Sequence, residues 1–274
     1  MDCLTDRIAD FLAFFPTILA IDAARYAIAA GALAVVLRLA PAGWTTARRL
    51  QSRLASRADR TREIGYSLLT IVIFALNGYG VHLGARHGLF TIMPGPPAAD
   101  LVQAVATLVL MIVAHDTYFY WTHRAMHHPR LFRFFHRTHH RSHTPTPWAA
   151  YAFDWPEAAV QAGFLPLFLL VVPVHGVVLF VFIAHMILRN VMGHAGVELF
   201  PRGWARSRWL AWITVTVHHD LHHATARWNY GLYFRWWDRI MGTEHPDYVQ
   251  AFDRATGERR ETSEARDATL VEKA

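Results

Sequence analysis

Apolar runs of near-bilayer length constrain this chain more than any other feature. One runs from about Tyr26 to Ala40 and extends backward through Phe11 to Ile21; a second covers Tyr66 to about Ala85, and a third Leu101 to Trp121. About twenty apolar residues in helical form match the hydrocarbon core of a bilayer, where every backbone N–H and C=O must be paired internally. Runs of that length are helices, since a spanning strand needs only about ten residues. A fourth stretch, Ala158 to about Val191, is too long for one ordinary span and contains Pro166, Pro173 and Gly176. Proline kinks or ends an apolar helix, so the expectation here is a hairpin of two helices whose halves are short or re-entrant. Hydrophobic residues make up 53% of the chain and its charge is crowded into a few segments. The expected fold is an all-α integral membrane protein with about four transmembrane or re-entrant helices.

Placement of charge supplies an orientation. Arg48, Arg49, Arg53, Arg57, Arg60 and Arg62 lie between the first two spans, whereas Gly88 to Ala99 has no Lys or Arg. By the positive-inside rule the Arg-rich loop is cytoplasmic and Pro94 to Pro97 is outside. The third span then returns to the cytoplasm, and the hairpin brings the C-terminal part back to the same side. The net charge of +6 raises a nucleic-acid partner, but basic residues that flank apolar stretches behave as membrane-surface charge, and no nucleic acid is expected. The chain is therefore expected in an inner or cell membrane. Residues 1–10 contain Asp2, Asp6 and Asp10, the reverse of a basic signal-peptide start, so the N-terminus is read as mature sequence.

Eighteen histidines are present, and most fall into three clusters: His123-Arg-Ala-Met-His127-His128, His136-Arg-Thr-His139-His140, and His218-His219-Asp-Leu-His222-His223. Residues three and four apart share a helix face, so each cluster aims two or three imidazoles in one direction. Three such sets exceed the needs of one ion and point to a metal pair. The single cysteine, Cys3, excludes a Cys-rich zinc or iron–sulfur site, leaving His and carboxylates. Asp116, His123 and His127 lie within about 60° of one another on a helix, which makes Asp116 a ligand or an acceptor that orients an imidazole. His128 stays open, His218 is the weaker member of its cluster, and His115 points elsewhere. Asn190 and His194 share a face near a membrane helix end, so His194 joins the candidates with Asn190 beside it. His82, His87, His175 and His245 have no reading beyond a structural one.

These residues resemble the fatty acid hydroxylase/sterol desaturase superfamily of membrane di-iron oxygenases. The resemblance rests on HDTYFYWTHRAMHH (His115–His128), FHRTHHRSHTPTPWAAYAF (Phe135–Phe153), NVMGHAGVELFP (Asn190–Pro201) and HHDLHHATARWNYGLYFRWWDRIMGT (His218–Thr243), in the family's order. The family's eight-histidine pattern falls on His123, His127, His136, His139, His140, His219, His222 and His223, and its additional histidine on His194. Many relatives carry His-Pro where this chain has Asp154-Trp155-Pro156-Glu157, so Asp154 is left out of the metal set. The resemblance implies a His-rich cytoplasmic helical cap holding two iron ions, with O2 as co-substrate. It implies hydroxylation or desaturation of an unactivated C–H bond in a membrane lipid, fatty-acyl or sterol/isoprenoid, with electrons from a separate reductase. Residues 1–100 are then an N-terminal membrane region, 101–245 the catalytic region and 246–274 a charged, flexible tail. The rival readings are a His-rich metal transporter, with ligands along the spans near the midplane, and a non-catalytic lipid-binding protein.

Overall fold

The computed structural model describes residues 2–94 and 101–257, the side chains of residues 2 and 3 excepted. Helix α1 (Asp2–Leu39) is followed by the short α2 (Ala42–Ala47) and by α3 (Arg57–Arg86). A two-residue strand β1 (Ile92–Met93) precedes α4 (Leu101–Met126), and α5 (Pro129–Phe135) and α6 (Arg137–His140) follow it. Next come α7 (Trp155–Leu169), strand β2 (Val174–His175) and α8 (Gly176–Gly193). The C-terminal part adds α9 (Thr216–Thr225), α10 (Trp236–Ile240) and α11 (Tyr248–Thr256).

Among the described residues, four helices are long and apolar enough to cross a membrane: α1 from Leu4 onward, α3, α4 and α8. Their outward faces carry exposed Leu12, Ile28, Val36, Val105 and Phe180. In water such a surface would be an aggregation liability; against acyl chains it is at equilibrium. The expected hairpin is present as α7 and α8. Its break falls at Pro173, whereas Pro166 sits inside α7. Proline at that position costs one backbone hydrogen bond and leaves a bend rather than an end. Pro16 is accommodated in the same way within α1.

Local signals set the remaining boundaries. A capping box starts α3, in which Asp59 N–H donates to Ser56 Oγ at 3.1 Å and Ser56 N–H donates to Asp59 Oδ2 at 3.0 Å. Pro129 occupies the first turn of α5, where its missing N–H costs nothing.

Two ends of the bundle can be told apart. At one, β1 pairs in parallel with β2, joining the segments that enter α4 and α8. At the other, where α4 and α8 finish, the Arg-rich segment meets the C-terminal part: Leu50 N–H donates to Gly196 O at 3.1 Å and Glu198 N–H to Arg48 O at 2.9 Å. Gln51 Nε2 also donates to Asp220 Oδ2 at 2.7 Å. Residues Gly95–Pro97 of the opposite loop lie outside the described residues.

One apolar core joins α3, α4, α7 and α8 through Val81, Met111, Phe164, Phe168, Val178 and Phe182. A second packs Tyr26 and Ile71 against Tyr151 and Val191. Here the 3-10 turn Pro147–Tyr151 is pinned, since Trp148 O accepts Tyr26 OH at 2.8 Å and Ser67 Oγ–H at 2.9 Å. A third core, Phe200, Val215, Val217, Tyr248 and Phe252, builds the cap. The stretch from 246 on, expected to be a flexible tail, thus begins with an ordered helix. Tyr248, Phe252 and Ala255 recur every three to four residues and bury one face of α11, and Arg206 closes onto Asp253 at 2.5 Å. Residues 258–274 lie outside the described residues.

Candidate metal centre

Nine histidines from four segments converge where α4 and α8 end. His123, His127, His136, His140 and His222 form one group, and His139, His194, His219 and His223 a second; within each, one ring nitrogen per residue lies within 4.8 Å of the others. These are the nine candidates that helix phase and the family pattern single out. Helix geometry explains the sorting. The i, i+4 pairs His123/His127, His136/His140 and His219/His223 each stay in one group, while adjacent His139/His140 and His222/His223, about 100° apart on a helix, face different groups.

Three of the rings are aimed by backbone carbonyls. His123 Nδ1–H donates to Tyr230 O at 2.9 Å, His194 Nδ1–H to Asn190 O at 2.8 Å and His222 Nδ1–H to Trp228 O at 2.6 Å. A proton on Nδ1 leaves Nε2 a bare lone pair. His194 Nε2 lies 3.0 Å from His219 Nε2, 3.2 Å from His223 Nε2 and 3.3 Å from His139 Nε2. One lone pair cannot serve three N–H donors, and His219 and His223, with Nε2 atoms 3.0 Å apart, would then face each other with protons. The same crowding joins His140 Nε2 to His222 Nε2 at 3.0 Å and to His127 Nε2 at 3.1 Å. Neighbouring ligand nitrogens on one ion with bonds of about 2.0–2.1 Å are about 3 Å apart, so this donor set fits a cation and no hydrogen-bond scheme.

Burial keeps the donors available. Loss of solvent, reinforced by neighbouring imidazoles, holds His136, His139, His219, His222 and His223 far below the ordinary histidine range. Burial likewise lowers His140 to about 3 and His194 to about 4. All are neutral at pH 7, the state in which imidazole binds metal.

The supporting loop after the third cluster explains its local sequence. Asn229 takes a left-handed conformation, φ 60°, and its side chain donates to His218 O at 2.9 Å and accepts His245 N–H at 2.7 Å. Asp238, fully buried, accepts Tyr230 N–H, Gly231 N–H and Thr243 Oγ–H, each at 2.8 Å. At Gly231 a Cβ would meet Phe234 O at 2.4 Å, so only glycine fits. This loop presents the Trp228 and Tyr230 carbonyls that aim His222 and His123.

Of the weaker candidates, Asn190 contributes through its carbonyl under His194, and its amide donates to Ala150 O at 2.7 Å. Asp116 is neither a ligand nor an imidazole acceptor. Its Oδ1 accepts Tyr233 N–H at 2.7 Å and Phe234 N–H at 3.3 Å, and Oδ2 accepts Trp236 Nε1–H at 3.0 Å. The helical phase is shared with His123, but seven residues amount to about 10 Å along the axis. His128 is the N-cap of α5, accepting Arg130 N–H at 3.3 Å. His218 lies outside both groups, with Nε2 3.2 Å from Asp238 Oδ2. His115 meets Tyr233 OH at 2.9 Å.

Sequence reasoning missed Glu157 and Asp238. Glu157 Oε1 lies 2.7 Å from His136 Nδ1, off the line of a straight N–H···O bond, and both groups are buried. Its one sequence signal was a lone carboxylate opening an apolar helix, in the same tetrapeptide as Asp154. Asp154 accepts a hydrogen bond from Thr138 on α6, which steadies the second cluster without entering it.

A cavity of about 380 Å³ lies between the bundle helices, lined by residues of α1, α3, α4, α7 and α8. Phe119 and Phe153 form part of its wall, their rings 5.0 Å from His123 and 5.2 Å from His139. The aromatic run 118–121 is thus divided: Phe119 faces the cavity, Tyr120 is buried against Thr243 and Trp121 is exposed.

Residues 108–243, which contain all nine histidines, match the family described as fatty acid hydroxylase. The chain is 32% identical over 165 residues to C-4 methylsterol oxidase erg25 of Schizosaccharomyces pombe, covering 58% of this chain and 53% of that protein. It is 33% identical to Delta(7)-sterol 5(6)-desaturase ERG3B of Gibberella zeae, over 51% of this chain and 42% of the relative. Lathosterol oxidase of Rattus norvegicus is 31% identical over 53% of this chain and 47% of its own length. The chain therefore spans about half the length of these curated relatives. No solved structure gives a significant match. With the motif order, the convergent histidines and the match to residues 108–243 in agreement, this chain belongs to the fatty acid hydroxylase/sterol desaturase superfamily.

Proposed function

We propose that the protein is a membrane di-iron oxygenase that hydroxylates or desaturates an unactivated C–H bond of a lipid, a sterol-type lipid fitting its relatives best. The observation that carries this reading is the pair of buried imidazole groups, set against Phe119 and Phe153 in the wall of a largely apolar cavity. His123, His127, His136, His140 and His222 would hold one iron and His139, His194, His219 and His223 the other. Bound there, the irons would supply the activation of O2 that the side chains cannot perform. The protein's part is to fix His123, His194 and His222 by their Nδ1 contacts, keep bulk water from the site by burial, and align the lipid along the cavity wall. Hydroxylation consumes O2, two electrons and two protons, leaving one oxygen atom in the lipid and one in water; desaturation sends both to water. The electrons would come from a separate reductase. Turnover of a membrane lipid under labelled O2 is expected to give a product carrying one labelled atom or a new C=C bond, and to stop without O2. Anaerobic activity, or an activity confined to metal movement across vesicles, would refute the reading. Transport is disfavoured because His123 lies in the last turn of α4 and His194 caps α8, at the helix ends rather than midway.

The same proposal places residues 101–245 as the catalytic region, with the centre facing the cytoplasm. The meeting of the Arg-rich segment with the cap supports it, because both then occupy the positive side. Reporters fused after Ala274 and inserted near Arg57 are both expected in the cytoplasm. Opposite locations would defeat this topology.

A further inference from the structure

The walls of the cavity are not uniformly apolar. Asp22 and Arg25 of α1, Asn77 of α3 and Gln161 of α7 all line it among Phe74, Phe164 and their neighbours. Asp22 and Arg25 pair with each other, and Asp22 is buried within a helix that otherwise reads as a membrane span. The buried Nε2 of Gln161 has no hydrogen-bond partner, and Asn77 makes no side-chain hydrogen bond among the described residues. Ionisable and amide groups inside a bilayer span are costly, and they persist where a ligand or a pathway uses them. Asp22, Arg25 and Asn77 lie outside the matched residues 108–243, and Gln161, inside them, belongs to none of the histidine motifs, so those motifs do not explain the cluster.

We infer that these four residues form a station for one neutral oxygen, hydroxyl or carbonyl, of a lipid whose hydrocarbon fills the cavity toward Phe119 and Phe153. A plain acyl chain would have no use for unspent amide donors. Nor does the station suit an anion: Arg25 is already balanced by Asp22, whose carboxylate would repel a carboxylic or phosphate head group. A neutral alcohol or ketone can accept from Gln161, Asn77 or Arg25 and, as an alcohol, donate to Asp22. The inference rests on the oxygenase reading only for what happens at the far end of the lipid.

The test is binding, measured on the full metal-loaded chain in nanodiscs with matched pairs: the fluorescent sterol dehydroergosterol and its 3-deoxy hydrocarbon, and geranylgeraniol and its parent hydrocarbon. For at least one pair the wild type is expected to bind the alcohol about ten-fold tighter or more. Gln161→Leu, Asn77→Leu and the double change Asp22→Leu/Arg25→Leu are each expected to bring that ratio toward one without weakening the hydrocarbon, at unchanged metal content. Equal affinities within every pair, binding of none of the four lipids, or variants that lose both partners alike would overturn the inference. Discrimination without any oxidation would leave the station standing and remove the oxygenase reading; oxidation without discrimination would do the reverse.

Discussion

Alanine at His194 is expected to leave purified, iron-supplied protein with about one metal ion per chain in place of two, and with no measurable turnover. His194 is the hub of its group, since its Nε2 is within 3.3 Å of the Nε2 atoms of His139, His219 and His223. The three other imidazoles of its group are candidate ligands themselves, so none of them is spare to replace it. Loss of a residue that merely orients a ligand costs about 10–100-fold in metal affinity or activity, and loss of the ligand itself should exceed that. His139→Ala should act on the same ion and His222→Ala on the other, whereas His82→Ala, His175→Ala and His245→Ala should keep wild-type metal content. Elemental analysis decides it: an emptied site in His175→Ala beside a full one in His194→Ala would refute the assignment, as would wild-type protein holding at most one ion.

A comparable loss is expected from Asp238→Ala, a residue that touches no candidate ligand atom of either group. Its carboxylate is fully buried and takes two backbone N–H groups and one hydroxyl. Truncation strands those donors in a dry interior at about 1–3 kcal/mol each, less where the loop relaxes, so a total of about 3–5 kcal/mol is reasonable. In a chain of this size that corresponds to a fall in Tm on the order of 10 °C. Because the Tyr230 and Trp228 carbonyls aim His123 and His222, metal content should fall in the five-histidine group first. Asp238→Asn, which keeps an acceptor for Tyr230 N–H, should fall between the two. Wild-type thermal stability and metal content in Asp238→Ala would show that the loop does not carry the site.

Much of this arrangement was readable from the residues, for reasons that are local. Spans follow from the length of apolar runs, the hairpin from proline and glycine within the fourth, and the ligand set from imidazoles three and four apart. Helix α11 was not readable in this way, because charged neighbours mask the recurrence of Tyr248, Phe252 and Ala255 and the stretch reads as a tail. Asp116 shows where such reading fails. Helical phase places it on the face of His123, yet phase repeats along the axis, and the level of a residue is set by what packs opposite it.

Backbone pairing in lipid and helix periodicity act within one segment, which is why the membrane helices and the nine histidines can be read from the residues alone. Which group each histidine joins, the placing of Glu157 beside His136 and of Asp238 in the loop behind His123, and the meeting of four polar residues at one cavity all depend on long-range packing. Those contacts join residues far apart in the chain: His139 meets His194, and His140 meets His222. Nothing local specifies such pairs; they are fixed when three apolar cores and the carbonyls of the 228–230 loop lock the segments into one register.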